Sequence, residues 1–462
     1  MGLSPHPRPH AGPGLVAAAC PRAADEIGEA AHGGLRGHGQ VSIPSDRDAE
    51  RRVNRPGVGV THVVGAGLAG LAAAHALATQ GRMVTLHEST PGAGGRARAL
   101  PDGTDNGTHA LIGANRAALG FLDAIGARQF WLEPEPDGLP VLDLADGSAR
   151  QVALSPFGWW RADRRPAGVT PGAVLAMAGM AMSGEDRTVA EAMRAHPAFL
   201  RGFVDPLVIA ALNTPSAEAS SQRLAQVLRR LGAPGATRLL VARRGLGPDL
   251  VEPALAALAL AGAAYRPGHR LRGITQEGGR ATALSFQDHE TPLAPADRVI
   301  LALPPWEALR LMPGLPAPEA HAPIVNLHFA QGCPGAVRFL GLLGGLCQWV
   351  LIRPSGVAVT VSAGDAEADQ EVEELAPRAW AEIRRAVKAF GVAGDWPEAP
   401  PPCRVVKERR ATPRHRVGHI PTPPRLPLAN LALAGDWTWP DLPATIDAAI
   451  RSGLAAAQAL PE

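Results

Sequence analysis

Aromatic residues are scarce: one Tyr, nine Phe and nine Trp make up 4% of a 462-residue chain. A surface that stacks nucleic-acid bases needs repeated aromatic platforms, and a net charge of +2 offers little attraction to a phosphate backbone. Nucleic acid is therefore not an expected partner. The same scarcity speaks against a paired-aromatic cage for an amine. Cysteine is limited to Cys20, Cys333, Cys347 and Cys403, far apart and with no CxxC. Neither a disulfide frame nor a metal site is expected, and the thiols read as reduced ones of a cytoplasmic protein. There is no run of about eighteen apolar residues that would span a bilayer. The apolar stretches 173–182 and 254–264 are shorter, which leaves core helices or a surface dipping into lipid. Residues 1–58 have no sustained period and no basic-then-apolar pattern of a secretory signal; they read as a disordered N-terminal extension.

The stretch 61–98 is the most informative one. A short apolar strand runs into Gly65-Ala66-Gly67-Leu68-Ala69-Gly70, an alanine-rich helix follows, and a second strand ends at Glu88, beside Ser89. Strand, glycine turn, helix, strand and acid in this order form a dinucleotide fingerprint. Gly65 permits the turn, Gly67 lets a pyrophosphate approach the backbone, and Gly70 lets the helix pack against the sheet. The helix start supplies N–H groups and a partial positive charge. Glu88 would accept from the adenosine ribose and would repel a 2′-phosphate, which disfavours NADP.

Two further segments narrow the ligand. Gly94-Gly95-Arg96 follows the fingerprint, and a guanidinium there suits a pyrophosphate. Near the C-terminus a strand ends at Gly435-Asp436, and a helix begins near Ala444. An acid beyond a strand can bind ribityl hydroxyls, and a helix start can face the N1/O2 edge of a flavin. NAD has neither group, so the expected cofactor is FAD. Between these segments lie short strands and helical stretches (171–183, 188–193, 198–212, 220–231), then mixed strands over 321–364 and an amphipathic helix over 376–390. The chain reads as α/β: a discontinuous Rossmann-like FAD-binding domain of the glutathione-reductase type (59–130, 236–308, 403–462), with an inserted α+β substrate-binding domain (131–235, 309–402).

VVGAGLAGLAAA, AGGRARAL, DNGTH, LNTPSAEAS, APIVNLHF, QWVLIRPSG, KERRAT and LAGDWT…LPATIDAAIRSG stand in the order and spacing of one subgroup of the FAD-dependent amine oxidase and phytoene desaturase superfamily. The chain resembles the hydroxysqualene dehydroxylases, also called squalene-associated FAD-dependent desaturases, from about residue 62 to 460. The resemblance implies reduction of hydroxysqualene to squalene in bacterial hopanoid synthesis. It implies that Gly65 to Ala69 hold the pyrophosphate, Glu88 the ribose, and Gly95 and Arg96 the diphosphate. Leu271 would contact adenine through its backbone, Gly435 and Asp436 would hold the ribityl end, and Ala444, Thr445 and Ile446 the flavin ring. Departures are Asp447-Ala448 where the subgroup has Glu-Gly, and a shorter segment between Thr412 and Asn430.

A hydroxyl that leaves as water must be protonated, so acids beside the flavin are of interest: His109, Asp105 and Asp447. Gln348 and Trp349 are candidates for the cavity wall. A long isoprenoid needs a long apolar tunnel and would enter from a membrane, so a peripheral contact with the inner face of the cell membrane is expected. The electron donor to FAD is not encoded in any motif. Competing readings are carotenoid-type desaturation, amine oxidation, and a flavin-binding scaffold without turnover.

Overall fold

A computed structural model describes residues 59–100, 102–335 and 337–461. Of the chain's two units, Met1–Ile43 and Pro44–Glu462, only the second contains described residues. The expected disorder of 1–58 lies outside them, as does Ala336, at the start of an expected strand.

A five-stranded parallel sheet runs in the order Leu431–Leu433, Arg298–Leu301, Val60–Val64, Met83–His87, Ala264–Arg266. All five residues of Val60–Val64 are buried, as expected of a parallel strand covered on both faces. The helix Leu68–Thr79 returns along this sheet, and the last helix, Ile446–Ala459, packs on it at very short range. A Cβ at Gly453 would lie 2.0 Å from the Ala69 carbonyl oxygen, and one at Gly70 would lie 1.9 Å from that of Gly65. Both glycines are therefore required by close packing.

A seven-stranded sheet forms the second layer, in the order Cys403–Pro413, His321–Phe329, Gly356–Ser362, Trp349–Arg353, Arg338–Leu343, Leu139–Asp143, Ala149–Val152. The amphipathic helix Val372–Ala389 covers it, burying Leu375, Ala379, Trp380 and Ile383 against Val325, Leu340 and Val350. Truncating Trp380, 1% exposed, would cost about 3–5 kcal/mol. Cys403–Pro413, grouped in the sequence reading with the FAD-binding segments, pairs along this second sheet with His321–Phe329. Residues 265–274, which the sequence pattern predicts as one strand, are split by a turn: Ala264–Arg266 joins the parallel sheet, and Leu271–Glu277 an antiparallel three-stranded one.

The helices Pro171–Met182, Asp205–Leu212 and Ser221–Leu231 share an apolar cluster with Trp159 and Phe199. The run 197–212 is not one regular helix: Leu200–Val204 adopts a π-turn, and Asn213 ends it at φ +45°. No described helix is long and apolar enough to cross a membrane.

Candidate cofactor and substrate site

One cavity of about 840 Å³ begins at the fingerprint and continues into the helical cluster. Its wall includes Gly65, Gly67, Leu68, Ala69, Glu88, Ser89, Gly95, Arg96, Leu271, Gly435, Asp436, Ala444, Thr445 and Ile446, so these sequence-predicted residues from four distant segments come together. Ala66 and Gly70 stand behind it. Ala66 N–H donates to Glu88 Oε2 at 2.9 Å, and Gly70 is the packing glycine described above.

The fit to a dinucleotide is read from backbone space and donors. Gly67 caps the helix at φ −70° with no capping side chain, and the nearest atom to an added Cβ is Gly95 Cα at 4.0 Å. Open space over a helix start whose N–H groups lack a side-chain acceptor is what a diphosphate requires. Gly94 N–H donates to Ala66 O at 2.7 Å, which brings the second glycine loop alongside the first. Glu88 Oε1 accepts from Ser89 Oγ, Thr90 N and Thr90 Oγ1, while Oε2 accepts only from Ala66. Oε2 thus keeps a lone pair for a ribose hydroxyl.

At the other end Arg96 Nη2 donates to Asp436 Oδ1 at 2.7 Å, and its Nη1 donates to Ala411 O. Arg96 therefore clips two cofactor-facing segments together, and three of its five N–H groups remain for a diphosphate. Trp437 N also uses Asp436 Oδ1, which leaves Oδ2 for a ribityl hydroxyl. Thr445 caps the last helix, accepting from Ala448 N at 3.2 Å. Ala444 lines the cavity, but its N–H donates to His415 Nε2 at 3.2 Å. The free helix-start donors are thus those further along. The residues present fit FAD.

The three candidate acids separate. His109 lines the cavity; its Nδ1 lies 3.0 Å from Gly107 O and donates to it, which leaves Nε2 for a ligand. Burial pushes its pKa down against the Gly107 carbonyl and the Asp105 carboxylate, and the cations Arg96 and Arg353 add to that. It is a neutral imidazole at pH 7, an acceptor at Nε2 and not a strong acid. Asp105 is not in the wall. It is 5% exposed, accepts from Leu246 N at 2.7 Å and pairs with Arg353 at 3.2 Å. Burial raises its pKa, against Arg353 and the Leu246 N–H. Asp447, 1% exposed, spends Oδ1 on Ala118 N at 2.9 Å and Oδ2 on Arg451 at 2.6 Å. Asp105 is thus a structural anchor outside the wall, whereas Asp447 lines the cavity with both carboxylate oxygens engaged. Gln348 is also corrected: it is absent from the cavity wall, and its Oε1 accepts from Ser362 N at 2.6 Å. Trp349 does line the cavity and stacks on Phe339 at 5.7 Å.

Several cavity residues had no assigned role in the sequence. Glu307 holds Arg270 and Arg310, each at 3.0 Å, at the adenosine end. Nothing in their spacing marks them. Asn326 and Asn213 sit in the quoted VNLHF and LNTP segments, which were the available signal. Asn326 Oδ1 accepts from Thr108 N at 3.3 Å and Thr360 Oγ1 at 3.0 Å. Asn213 donates to Thr412 Oγ1 at 3.1 Å and accepts from Ala363 N at 2.6 Å. These amides join the cavity walls. Thr108 Oγ1 is buried in the wall with no partner among the described residues. Beyond it the wall turns apolar, with Leu154, Phe203, Leu207, Val227, Leu231 and Phe339.

Comparison with known proteins agrees with this geometry. Residues 68–461 match the family model described as flavin-containing amine oxidoreductase. A hydroxysqualene dehydroxylase from Rhodopseudomonas palustris is 36% identical over 413 residues, covering 86% of this chain and 97% of that protein. One from Zymomonas mobilis is 33% identical, covering 86% and 98%. Among solved structures, putrescine oxidase shares the fold at TM-score 0.63 and 16% identity, covering 86% of this chain and 98% of its own. An oxidoreductase from Methanosarcina mazei does so at TM-score 0.63 and 15% identity, covering 86% and 100%. An FAD cradle that opens into an apolar chamber, together with close relatives along nearly all the described sequence, places this chain in the flavin-containing amine oxidoreductase family, within its hydroxysqualene dehydroxylase group.

Proposed function

We infer that the protein is an FAD-dependent enzyme that reductively removes the hydroxyl of hydroxysqualene to give squalene. The observation that carries the reading is the continuity of one cavity from a dinucleotide cradle to an apolar chamber without an acid in the wall from 139–231. When bound in its reduced form, FAD supplies a hydride. The chain's own residues do the rest. The apolar wall binds the isoprenoid by area removed from water, about 25 cal/mol per Å², and excludes water from the reacting carbon. Thr108 Oγ1–H donates to the departing hydroxyl oxygen, and His109 Nε2 accepts the hydroxyl proton's hydrogen bond, which orients the group. The C–O bond is exchanged for C–H, and the hydroxyl leaves as water; its added proton is the second hydrogen that FADH2 would give up with the hydride, so hydroxysqualene and FADH2 balance against squalene, water and FAD. Amine oxidation is less well supported. In the apolar chamber an ammonium would meet no acid from 139–231 and no gap between two aromatic faces, since Phe339 and Trp349 stack directly on each other.

The proposed place of action is a membrane surface. Phe157, Trp160, Leu175 and Met182 are 71–80% exposed. Pro171–Met182 has no charged residue, and its outward positions include Leu175, Ala178 and Met182. Arg161, Arg164 and Arg165 stand beside Trp160 against the single Asp163. Exposed Trp and apolar side chains next to arginines suit an anionic lipid interface. Trp159 and this helix share a cluster with Phe203 and Leu207 of the chamber wall, so a lipid contact here would adjoin the substrate's path.

The test is anaerobic incubation of the protein with reduced FAD and hydroxysqualene. Squalene is expected; oxidation of phytoene or an amine with no squalene formed would overturn the reading.

A further inference from the structure

His269 opens onto the adenosine end of the cavity and also belongs to a stack of rings that the proposed reaction does not use. His62, on Val60–Val64, and His87, at the end of Met83–His87, are buried with ring centroids 5.4 Å apart. His87 stacks on His269 at 5.3 Å and on Phe286 at 4.6 Å. His269 then meets His289 at 4.8 Å near the surface. The backbone fixes this meeting. Phe286 pairs with Leu271 across two antiparallel strands. The turn after Phe286, closed by Phe286 N–H to His289 O at 2.8 Å, brings Asp288 and His289 to the loop before Leu271.

The ring nitrogens are engaged in an order that matters. His62 Nδ1 lies 3.1 Å from His87 Nε2, and His87 Nδ1 lies 3.0 Å from His269 Nδ1. A neutral imidazole carries one N–H. With His269 Nδ1–H donating inward, His87 Nδ1 accepts, His87 Nε2–H donates to His62, and His269 Nε2 keeps a lone pair. The opposite order puts an N–H outward instead; a metal ion selects the first. His289 Nδ1 lies 2.9 Å from Asp288 Oδ1 and donates to it, so its Nε2 also keeps a lone pair. Each imidazole then has one nitrogen tied by donation and the other free to ligate, as metal-bound histidines are held. One nitrogen of each histidine and one Asp288 oxygen already lie within 4.8 Å of one another. Zinc–nitrogen bonds of about 2.0–2.1 Å need ligand atoms roughly 3.3 Å apart in a tetrahedron. The remaining movement falls on Asp288 and His289, both exposed at the turn.

We propose that His269, His289 and Asp288 bind one divalent first-row transition ion, of which zinc is the ion expected, with water completing its coordination. Two imidazoles and a carboxylate suit zinc, and bind copper more tightly by intrinsic affinity. The ion ties the loop carrying cavity-lining His269, Arg270 and Leu271 to the hairpin tip. It is a structural site, since Asp288 and His289 stand outside the cavity wall and His269 meets it at the adenosine end, away from the apolar chamber.

The test is calorimetric titration of the FAD-loaded full chain, stripped with chelator, with zinc chloride. His6, His10, His32 and His38 precede the described residues, so the readout is the difference between chains. His289→Ala is expected to lose one equivalent relative to the parent, and Asp288→Asn to weaken that equivalent about 10- to 100-fold. Unchanged flavin absorbance per chain in both variants controls for folding. No zinc uptake by the parent, or the same stoichiometry and affinity in His289→Ala, would overturn the proposal. Cobalt(II) gives an independent check: the parent should show visible ligand-field bands that His289→Ala lacks, and identical spectra would count against the site.

Discussion

Two glycines three residues apart make opposite demands, and exchanging each for alanine separates cofactor binding from folding. Gly67 has an ordinary φ of −70°, and nothing lies within 3.9 Å of an added Cβ except open space toward Gly95 Cα at 4.0 Å. Gly67→Ala should therefore change apoprotein stability by no more than about 0.5 kcal/mol, the range of substitutions that touch no packed feature. Its methyl group nevertheless occupies the approach to the helix start. Displacing a diphosphate from backbone donors loses charge-assisted hydrogen bonds of about 1.5–3 kcal/mol, which corresponds to FAD affinity lower by about 10- to 150-fold. Gly70→Ala places a carbon 1.9 Å from the Gly65 carbonyl oxygen, so the strand–helix turn must open, at about 1–3 kcal/mol or more of stability. FAD fluorescence titration and thermal unfolding of the two apoproteins check both halves. Equal FAD affinity in Gly67→Ala and the parent, or a Gly70→Ala variant as stable as Gly67→Ala, would refute the cradle as described.

Three more expectations concern other parts of the molecule. His62, His328 and His415 are buried and held at about 4, below the ordinary 6.5. Their unfolded forms take up protons first, so stability should be level above about pH 6.5 and fall as pH drops toward 4, by at most about 1.4 kcal/mol per unit for each group; denaturant titrations at pH 8, 6.5 and 5 measure this. Asp447→Ala frees Ala118 N–H and Arg451, and should lower stability by about 1–3 kcal/mol, while Asp447→Asn, where folded, should retain single-turnover reduction; a folded, FAD-loaded Asp447→Asn with no turnover would return Asp447 to the chemistry. The double variant Trp160→Ser/Leu175→Ser should bind anionic vesicles at least about 10-fold more weakly, since each side chain contributes on the order of 1 kcal/mol or more when buried in lipid, with flavin content unchanged; equal vesicle sedimentation would dismiss that face as the contact.

What the sequence revealed depended on the range of the interactions involved. Gly65, Gly67 and Glu88 lie within one strand–helix–strand unit, where spacing alone fixes geometry. Asp436 and Thr445 were legible for the same reason, as a strand end and a helix start. Asp105 and Asp447 look like available acids in one dimension. Their partners, Arg353 and Ala118, are 248 and 329 residues away, and only the fold reveals that both carboxylates are spent. Gln348 was misplaced because it stands just before the strand Trp349–Arg353, where its side-chain oxygen accepts from Ser362 N–H on the neighbouring strand. Cys403–Pro413 carries no mark of which sheet it joins; its partner strand His321–Phe329 decides that. Glu307, Arg270 and Arg310 converge only because a helix and a strand end meet at the adenosine side. The apolar chamber is assembled from helix and strand faces that would serve equally well as core.

The most direct test of the central claim is an anaerobic single turnover followed at the flavin absorbance. Protein loaded with stoichiometric reduced FAD is mixed with hydroxysqualene, and the product is extracted. The account predicts reoxidation of the flavin with one squalene formed per flavin oxidised, and a slower reaction in Thr108→Val at unchanged FAD content. Flavin that stays reduced in the presence of hydroxysqualene, or squalene formed without flavin reoxidation, would contradict it.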